Sequence, residues 1–360
     1  MSAYVVGLDV HKTRSTFVIQ TTTGAVTARG ELATTRAGLE QWAHPQALPA
    51  ATPVALESGT LAFFVADELA RLALHPLVID AHEVRAKAQR PRQKSDRRDA
   101  FELCDGLRRD QYRTRVHVPA PAVRRLRVLL ARRRHFVRVQ TAQINTVKGV
   151  LRAQGQGALG RSLRPARAWT RLQQAVAPHA DLAHAVAAHA AVWDAARQQR
   201  DAVEAALAAH VPAFAPAAAR LMTVPGVGPI VALTALATFG DVTRFPSAKH
   251  AASYAGLVPS TYQSGDCDRH GRITKRGSAE LRAMLIEAAH HAARREHPFH
   301  RVFTALCVRR GYKAALVAVA HRLCRLLFAL LRDASEFHPT RGGPARPPRR
   351  RTLLVTALSH

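Results

Sequence analysis

The chain has 360 residues, 48% of them apolar, and carries 53 lysines and arginines against 25 aspartates and glutamates, a formal charge of +28 at pH 7. Length and apolar content exclude a disordered chain and leave room for two or three packed domains. The charge excludes indifference to polyanions, and nucleic acid is the partner class it favours.

A GC-rich genome would by itself produce the abundance of arginine and alanine, but not the excess of cations over anions. Cys104, Cys267, Cys307 and Cys324 show no C-x-x-C spacing, which fits a reducing cytoplasm. The first residues lack the basic and apolar regions of a signal peptide. The apolar run from Ala314 to Leu331 is broken by His321, Arg322 and Arg325 and reads as an amphipathic helix rather than a membrane span. The expectation is a soluble, cytoplasmic protein.

In chain order, residues 4–10 (Tyr-Val-Val-Gly-Leu-Asp-Val) form the short apolar run of a strand buried on both faces. Asp9 is out of place there, because a buried carboxylate needs a partner or a metal. Ser15–Thr21 and Ala25–Leu32 are β-rich runs joined by Thr22-Thr23-Gly24, so hairpins follow the first strand. A short helix around Leu39–Trp42 precedes a buried strand at Val54-Ala55-Leu56, which ends in Glu57-Ser58-Gly59. Leu61–Leu74 has helical spacing, Leu77–Asp80 is another strand, and the pattern from His82 to Arg109 is helical. The order βββαβαβα, with acids in strand one, at the end of strand four and on the closing helix, is the layout of RNase H-like (RuvC-like) nuclease domains. Sugar kinases and actin-like ATPases share that broad topology, but Asp9-Val10-His11-Lys12 lacks the glycines that admit phosphate around their first acid.

The closing helix holds Lys94-Ser95-Asp96-Arg97-Arg98-Asp99-Ala100. Asp96 and Asp99, three residues apart, share one side of a helix, and like charges that close resist joint ionisation unless a cation intervenes. Alone, the heptapeptide reads as a solvated face of acid–arginine pairs.

From Pro121, Leu130, Val137, Ile144 and Leu151 recur seven residues apart, and a second alanine-rich helix follows from about Asp181 with Val186, Trp193 and Leu207 on one face. Two long helices around a connection at Gln154–Pro165 suggest an antiparallel coiled-coil hairpin. Its first arm carries Arg124, Arg125, Arg127, Arg132, Arg133, Arg134 and Arg138, cations that would repel one another without phosphates nearby. Val224-Pro225-Gly226-Val227-Gly228-Pro229 then opens the helix Ile230–Phe239. This is a helix-hairpin-helix-like turn, whose Gly226 and Gly228 let backbone N–H groups approach a phosphate; a plain interhelical turn is the other reading. Further on, Ser264-Gly265 is followed by a basic loop with Arg272, Lys275 and Arg276, beside the serine in sequence, and a helix from about Ser278. A serine before glycine is ordinarily a turn residue, but those cations would hold a phosphodiester against its hydroxyl. No His–Asp pair at serine-hydrolase spacing accompanies it.

Taken together, these motifs resemble the DEDD transposases of bacterial insertion sequences, the insertion sequence 110 family, which includes pilin-gene invertases. The first half is similar in Gly7-Leu8-Asp9-Val10-His11-Lys12, Glu57-Ser58-Gly59 and Lys94–Ala100; the second in Val224–Pro229, Ala255-Gly256-Leu257-Val258-Pro259, Ser264-Gly265, Gly271–Gly277 and Leu281-Arg282. The resemblance spans roughly residues 4–295. It implies a RuvC-like α/β catalytic domain at 1–118, a basic coiled-coil linker at 119–212 and a mainly helical transposase domain at 213–335; the Pro/Gly/Arg-rich composition of Arg341–Arg351 points separately to a basic, disordered tail at 336–360.

It further implies that Asp9, Glu57, Asp96 and Asp99 hold Mg²⁺ or Mn²⁺, and that Ser264 is the nucleophile that joins covalently to DNA. Lys12, Arg97, Arg98, the α-helical arginines and the glycine turn would contact nucleic acid. The implied partners are the element ends and target DNA, a noncoding guide RNA, and further copies of the chain in a homo-oligomer. Such a protein would be nucleoid-associated when bound to DNA. One departure is Glu57-Ser58-Gly59-Thr60, where the family has Ser-Thr-Gly after its glutamate. Ser260 is a second hydroxyl, four residues earlier and with proline, not glycine, beside it. The competing functions are a hydrolytic RuvC-like junction resolvase, which needs no serine, and a non-catalytic nucleic-acid-binding protein, which needs no acid cluster.

Overall fold

The computed structural model describes residues 3–87, 95–264 and 267–338, with only the backbone for 261–264 and 267–270. Lys94, Gly265 and the tail from residue 339 lie outside the described residues. The chain divides into two compact units, 1–118 and 119–360.

The first unit runs β1 (Tyr4–Asp9), β2 (Arg14–Thr21), β3 (Val26–Ala33), α1 (Arg36–Gln46), β4 (Pro53–Glu57), α2 (Ala62–Arg71), β5 (His75–Ile79), α3 (Ala81–Lys87) and α4 (Asp96–Arg108). The strands form one mixed sheet in the order β3-β2-β1-β4-β5. The β1–β2 and β2–β3 pairs are antiparallel, and β1–β4 and β4–β5 are parallel. Helices cover both faces, which is why the central strands read as unbroken apolar runs. Val6, Leu8, Val54 and Leu56 pack with Leu39, Trp42, Val65 and Leu69 on one side. Val5, Val18, Ala55 and Ile79 serve the other, under Ala100, Leu103 and Cys104 of α4.

The helical pattern expected to run from His82 to Arg109 is two helices, with Ser95 extended just before α4. Asp96 and Asp99 therefore occupy the first turn of α4, where unpaired backbone N–H groups favour carboxylates.

Gly7 sets how closely α4 approaches the sheet. A Cβ at this position would lie 2.2 Å from the Ala100 carbonyl oxygen and 2.4 Å from the Cys104 nitrogen, both backbone atoms of α4. Gly7→Ala is thus expected to lift α4 off β1 and to lower stability by about 3 kcal/mol, the upper range for overpacking. A denaturant midpoint unchanged from wild type would contradict that packing.

The second unit is α5 (Pro121–Ala153), α6 (Ala166–Val176), α7 (Ala180–His210), α8 (Ala215–Met222), α9 (Pro229–Phe239), α10 (Ala248–Tyr254), β6 (Pro259–Ser264), β7 (Cys267–Ile273), α11 (Ala279–Ala289), α12 (His300–Arg310) and α13 (Tyr312–Arg332). α5 and α7 run antiparallel. Val147 and Leu151 meet Val186 and Trp193 at one end, and Val123, Leu126 and Leu130 share a core with Val203 and Leu207 at the other. The connection contains α6, absent from the sequence expectation, whose Trp169, Leu172 and Val176 cap the far end. The near end belongs to the same core as α8–α13, so residues 212 and 213 do not separate two compact bodies. The apolar residues of α13, Val319, Leu323 and Leu327 among them, are buried in this core, which accounts for the helix's hydropathy.

Part of the expected basic loop is strand: β7 pairs with β6 in an antiparallel ribbon within the helical unit.

Candidate active site

Asp9 is the last residue of β1, paired with Thr16, and is 8% exposed. The parallel register Gly7↔Ala55, Leu8↔Leu56 continues to Asp9 beside Glu57. Both acids therefore project from adjacent strand ends onto the face that α4 covers. The first turn of α4 adds Asp96 and Asp99. Burial raises the Asp9 pKa; His11 opposes the rise, and the charges of Asp99 and Asp96 add to it. Glu57 is half-buried, with Arg85 Nη2 3.8 Å from its carboxylate.

His11, exposed beyond the strand end, places Nε2 3.0 Å from Asp9 Oδ2 and 3.3 Å from Asp96 Oδ1. No hydrogen bond of ordinary geometry reaches the buried Asp9 Oδ2, and its contact with His11 Nε2 is an electrostatic one. One ligand atom from each of Asp9, His11 and Asp96 lies within 4.8 Å of the others. An acceptor-rich, mutually repelling set with an unsatisfied buried oxygen fits a divalent cation. His11 is the residue that sequence reasoning left without a role; the signal was an imidazole two residues beyond a buried acid at a strand end.

Ser264 belongs to the other unit. It closes β6 and pairs with Cys267 across the tip of the ribbon. Arg272, Lys275 and Arg276 do not sit beside it as expected. Antiparallel register puts Arg272 five residues down β7, about 17 Å away by strand rise. The three cations instead mark the ribbon's base, where they are exposed. That base is pinned to α10 and α11. Lys275 N donates to Gly256 O at 3.2 Å and Thr274 N to Val258 O at 2.9 Å. Arg282 Nη1 donates to Ala255 O at 3.1 Å. Gly277, at φ +106°, lies so close to Tyr254 that a Cβ would stand 1.9 Å from its carbonyl oxygen. The motifs Ala255–Pro259 and Gly271–Gly277 are thus two sides of one pedestal. Ser260 is committed to it: its Oγ donates to Arg272 O at 3.1 Å.

The turn between α8 and α9 holds Gly226 at φ +84°, where a Cβ would press on Ala288 O and His291 at 3.0 Å. Gly228 is the extended cap of α9 with open space beside it. Buried His297 clamps this turn. Its Nε2–H donates to Pro225 O at 3.1 Å, and its Nδ1 accepts from Phe299 N at 3.1 Å. Burial lowers the His297 pKa below the ordinary 6.5, outweighing the Pro225 bond. The unfolded chain therefore takes up the proton first on acidification, and stability present above pH 6.5 is lost as pH falls below it. His297→Gln is expected to cost about 1–2 kcal/mol at pH 7.5 and to flatten the fall in unfolding midpoint toward pH 5.5. Parallel midpoint–pH curves for the two proteins would contradict the clamp.

The α5 cations are only partly free. Arg127 is half-buried and donates to Ala237 O and Thr238 O at 2.6 and 3.3 Å. Arg133 pairs with Glu204 at 2.7 Å and Arg134 with Glu280 at 3.6 Å, so neither is a bare cation. In the first unit Arg98 likewise meets Glu102 at 3.3 Å. Lys12, Arg97, Arg125, Arg132 and Arg138 are exposed, and Arg124 is half-buried. Lys148, Arg161 and Arg164, not singled out in sequence, join Arg133 and Arg200 around a cavity of about 500 Å³ between α5 and α7.

Residues 6–154 match the model of IS110 DEDD transposases, described as "Transposase". Residues 218–304 match that of "Transposase IS116/IS110/IS902 family". A "Probable family 20 transposase" of Pseudomonas aeruginosa is 30% identical over 304 residues, 79% of this chain and 86% of the relative. The "Insertion element IS110 uncharacterized 43.6 kDa protein" of Streptomyces coelicolor is 37% identical over 146 residues, 40% of this chain and 35% of the relative. A "Pilin gene-inverting protein" of Moraxella bovis is 32% identical over 123 residues, 33% of this chain and 38% of the relative. The first matched segment contains all four acids and the second contains both the glycine turn and Ser264. Since its two halves match in sequence and a relative aligns over most of both chains, this protein belongs to the IS110 family of insertion-sequence transposases, enzymes that recombine DNA.

Proposed function

We propose that the protein exchanges DNA strands through a covalent serine–DNA intermediate, with the acids of an RNase H-like domain acting on the phosphate that Ser264 attacks. The observation that carries this is the buried carboxylate of Asp9, which meets only the imidazole of His11 at 3.0 Å among the described cations and faces Asp96 and Asp99. The strand order β3-β2-β1-β4-β5, with acids at the ends of β1 and β4 and on α4, supports the RNase H-like assignment.

Asp9, Glu57, Asp96 and Asp99 would hold Mg²⁺ or Mn²⁺, which supplies Lewis acidity toward the attacking and departing oxygens. Ser264 Oγ bonds to phosphorus as the phosphorus–oxygen bond to one deoxyribose breaks, and the serine's proton is balanced by the one taken up on the released sugar oxygen. Attack by the hydroxyl of a second strand reverses the step, so the phosphodiester energy is retained without ATP. Position at the ribbon tip suits a residue that must enter a DNA backbone. Arg272, Lys275 and Arg276 at the base hold neighbouring phosphates, not the scissile one, and Gly226 and Gly228 seat another.

The exposed cations of α5 and Lys12 take further DNA and a noncoding guide RNA. The protein works as a homo-oligomer, with acids and serine drawn from the same or different subunits.

The test is a plasmid strand-exchange assay with Mg²⁺. Wild type is expected to recombine, and Asp9→Asn and Ser264→Ala to fail. Cleavage that survives Ser264→Ala but not Asp9→Asn would mean a hydrolytic nuclease instead.

A further inference from the structure

α4 packs on β1, β2 and β4. Between α4 and the β2–β3 hairpin lies a cleft of about 940 Å³, lined by Thr16, Val18, Val26, Arg29, Arg97 and Phe101 among others. One row of the sheet, Asp9↔Thr16↔Glu31, runs from the acid site straight into it. The next row, Gly7↔Val18↔Arg29, sets Arg29 two strands from β1, about 10 Å across. On α4, Arg97 and Phe101 are one helical turn apart and flank the same cleft.

The charge inside the cleft is not balanced. Arg14 pairs with Glu31 at 3.3 Å and Arg98 with Glu102 at 3.3 Å, which accounts for both acids in the lining. Arg29 and Arg97 are left without a carboxylate partner among the described residues. Beside them Phe101 is 38% exposed and Val26 45% exposed, although both are large apolar side chains. Unpaired guanidinium groups next to an exposed aromatic ring form a surface for an unpaired strand, with phosphates on the cations and a base stacked on the ring. A duplex would present only its backbone and leave the ring without a function.

We propose that this cleft binds the single DNA strand that carries the scissile phosphate to the acids, with Phe101 stacking on a base and Arg29 and Arg97 contacting its phosphates. The proposal rests on the transposase function above and adds the route by which substrate enters. It also explains how an anionic strand approaches four carboxylates: cations line the path up to them.

The test uses full-length Phe101→Trp in EDTA, so that no chemistry occurs. The three native tryptophans, Trp42, Trp169 and Trp193, are 5%, 3% and 3% exposed, so a new indole at 101 is the one that a strand can quench. A single-stranded DNA oligonucleotide of mixed sequence is expected to quench it saturably. Adding Arg29→Glu or Arg97→Glu should weaken that apparent affinity about tenfold, with far-UV circular dichroism unchanged. In the wild-type background, Phe101→Ala should weaken strand binding by fluorescence anisotropy about tenfold, and Phe101→Tyr should restore it.

Strand binding without quenching overturns the proposal. So does equal quenching by duplex DNA or by an RNA oligonucleotide, or quenching indifferent to Arg29→Glu. Strand exchange by wild type is measured on the same DNA. Exchange with no quenching in the tryptophan variant removes the cleft and keeps the transposase function, whereas no exchange by wild type removes the latter.

Discussion

Asp9→Asn is expected to lower strand exchange at least about a thousandfold, roughly 4 kcal/mol of transition-state stabilisation, while making the metal-free protein more stable. The two effects share one cause. Asp9 is buried at the end of β1 and faces Asp96 and Asp99, so its ionised form is disfavoured and its pKa is raised. For a carboxyl whose folded pKa lies above the unfolded value, the folded state holds the proton longer. Stability is then lost as pH rises through that interval, and at neutral pH the ionised group is a net cost. The isosteric amide removes the cost, for a gain on the order of 1 kcal/mol. It also removes the anion that a divalent ion requires. Mg²⁺ should accordingly raise the unfolding midpoint of wild type and raise that of Asp9→Asn much less. Equal stabilisation of both proteins, or exchange within tenfold of wild type, would mean that the acids serve only the fold.

Ser264→Ala is expected to reduce exchange below detection, also at least about a thousandfold, and to leave DNA binding within twofold. No other group accepts the DNA strand in the proposed chemistry, so the loss should be complete rather than graded. Ser260→Ala is the matched control. Its hydroxyl donates to Arg272 O across the base of the ribbon, so its removal should cost about 1 kcal/mol of local stability and little exchange. The reverse pattern, exchange lost with Ser260 and kept with Ser264, would place the nucleophile at the base.

The sheet was legible because its central strands are apolar on both faces, which period alone reports. Asp9 and Glu57 stood out as acids at the ends of such runs. Less was legible where the chain pairs with distant residues. The ribbon escaped detection because Thr-Tyr-Gln-Ser and Asp-Arg-His-Gly carry no apolar alternation; its register comes from the pedestal of α10 and α11. Proximity in sequence therefore misled for Arg272, which antiparallel pairing carries away from Ser264. Arg133 and Arg134 looked bare because their acids, Glu204 and Glu280, lie far along the chain. Helix α6 is hidden in the sequence because Trp169 and Leu172 sit among arginines, and their core comes from distant residues, Val147 and Leu151 of α5 and Val186 and Trp193 of α7 among them. His11 was overlooked because two adjacent strand ends and the start of α4 define its surroundings.

In the proposed chemistry Ser264 takes the DNA strand with help from the acids of the first unit. The most direct measurement is mass spectrometry of the nucleotide-bearing peptide after wild type, DNA and Mg²⁺ are mixed, denatured and digested with protease and nuclease. The predicted result is a nucleotide adduct on Ser264 that is absent from Ser264→Ala and from Asp9→Asn. Strand exchange with no adduct, or an adduct that persists in Ser264→Ala, would contradict it.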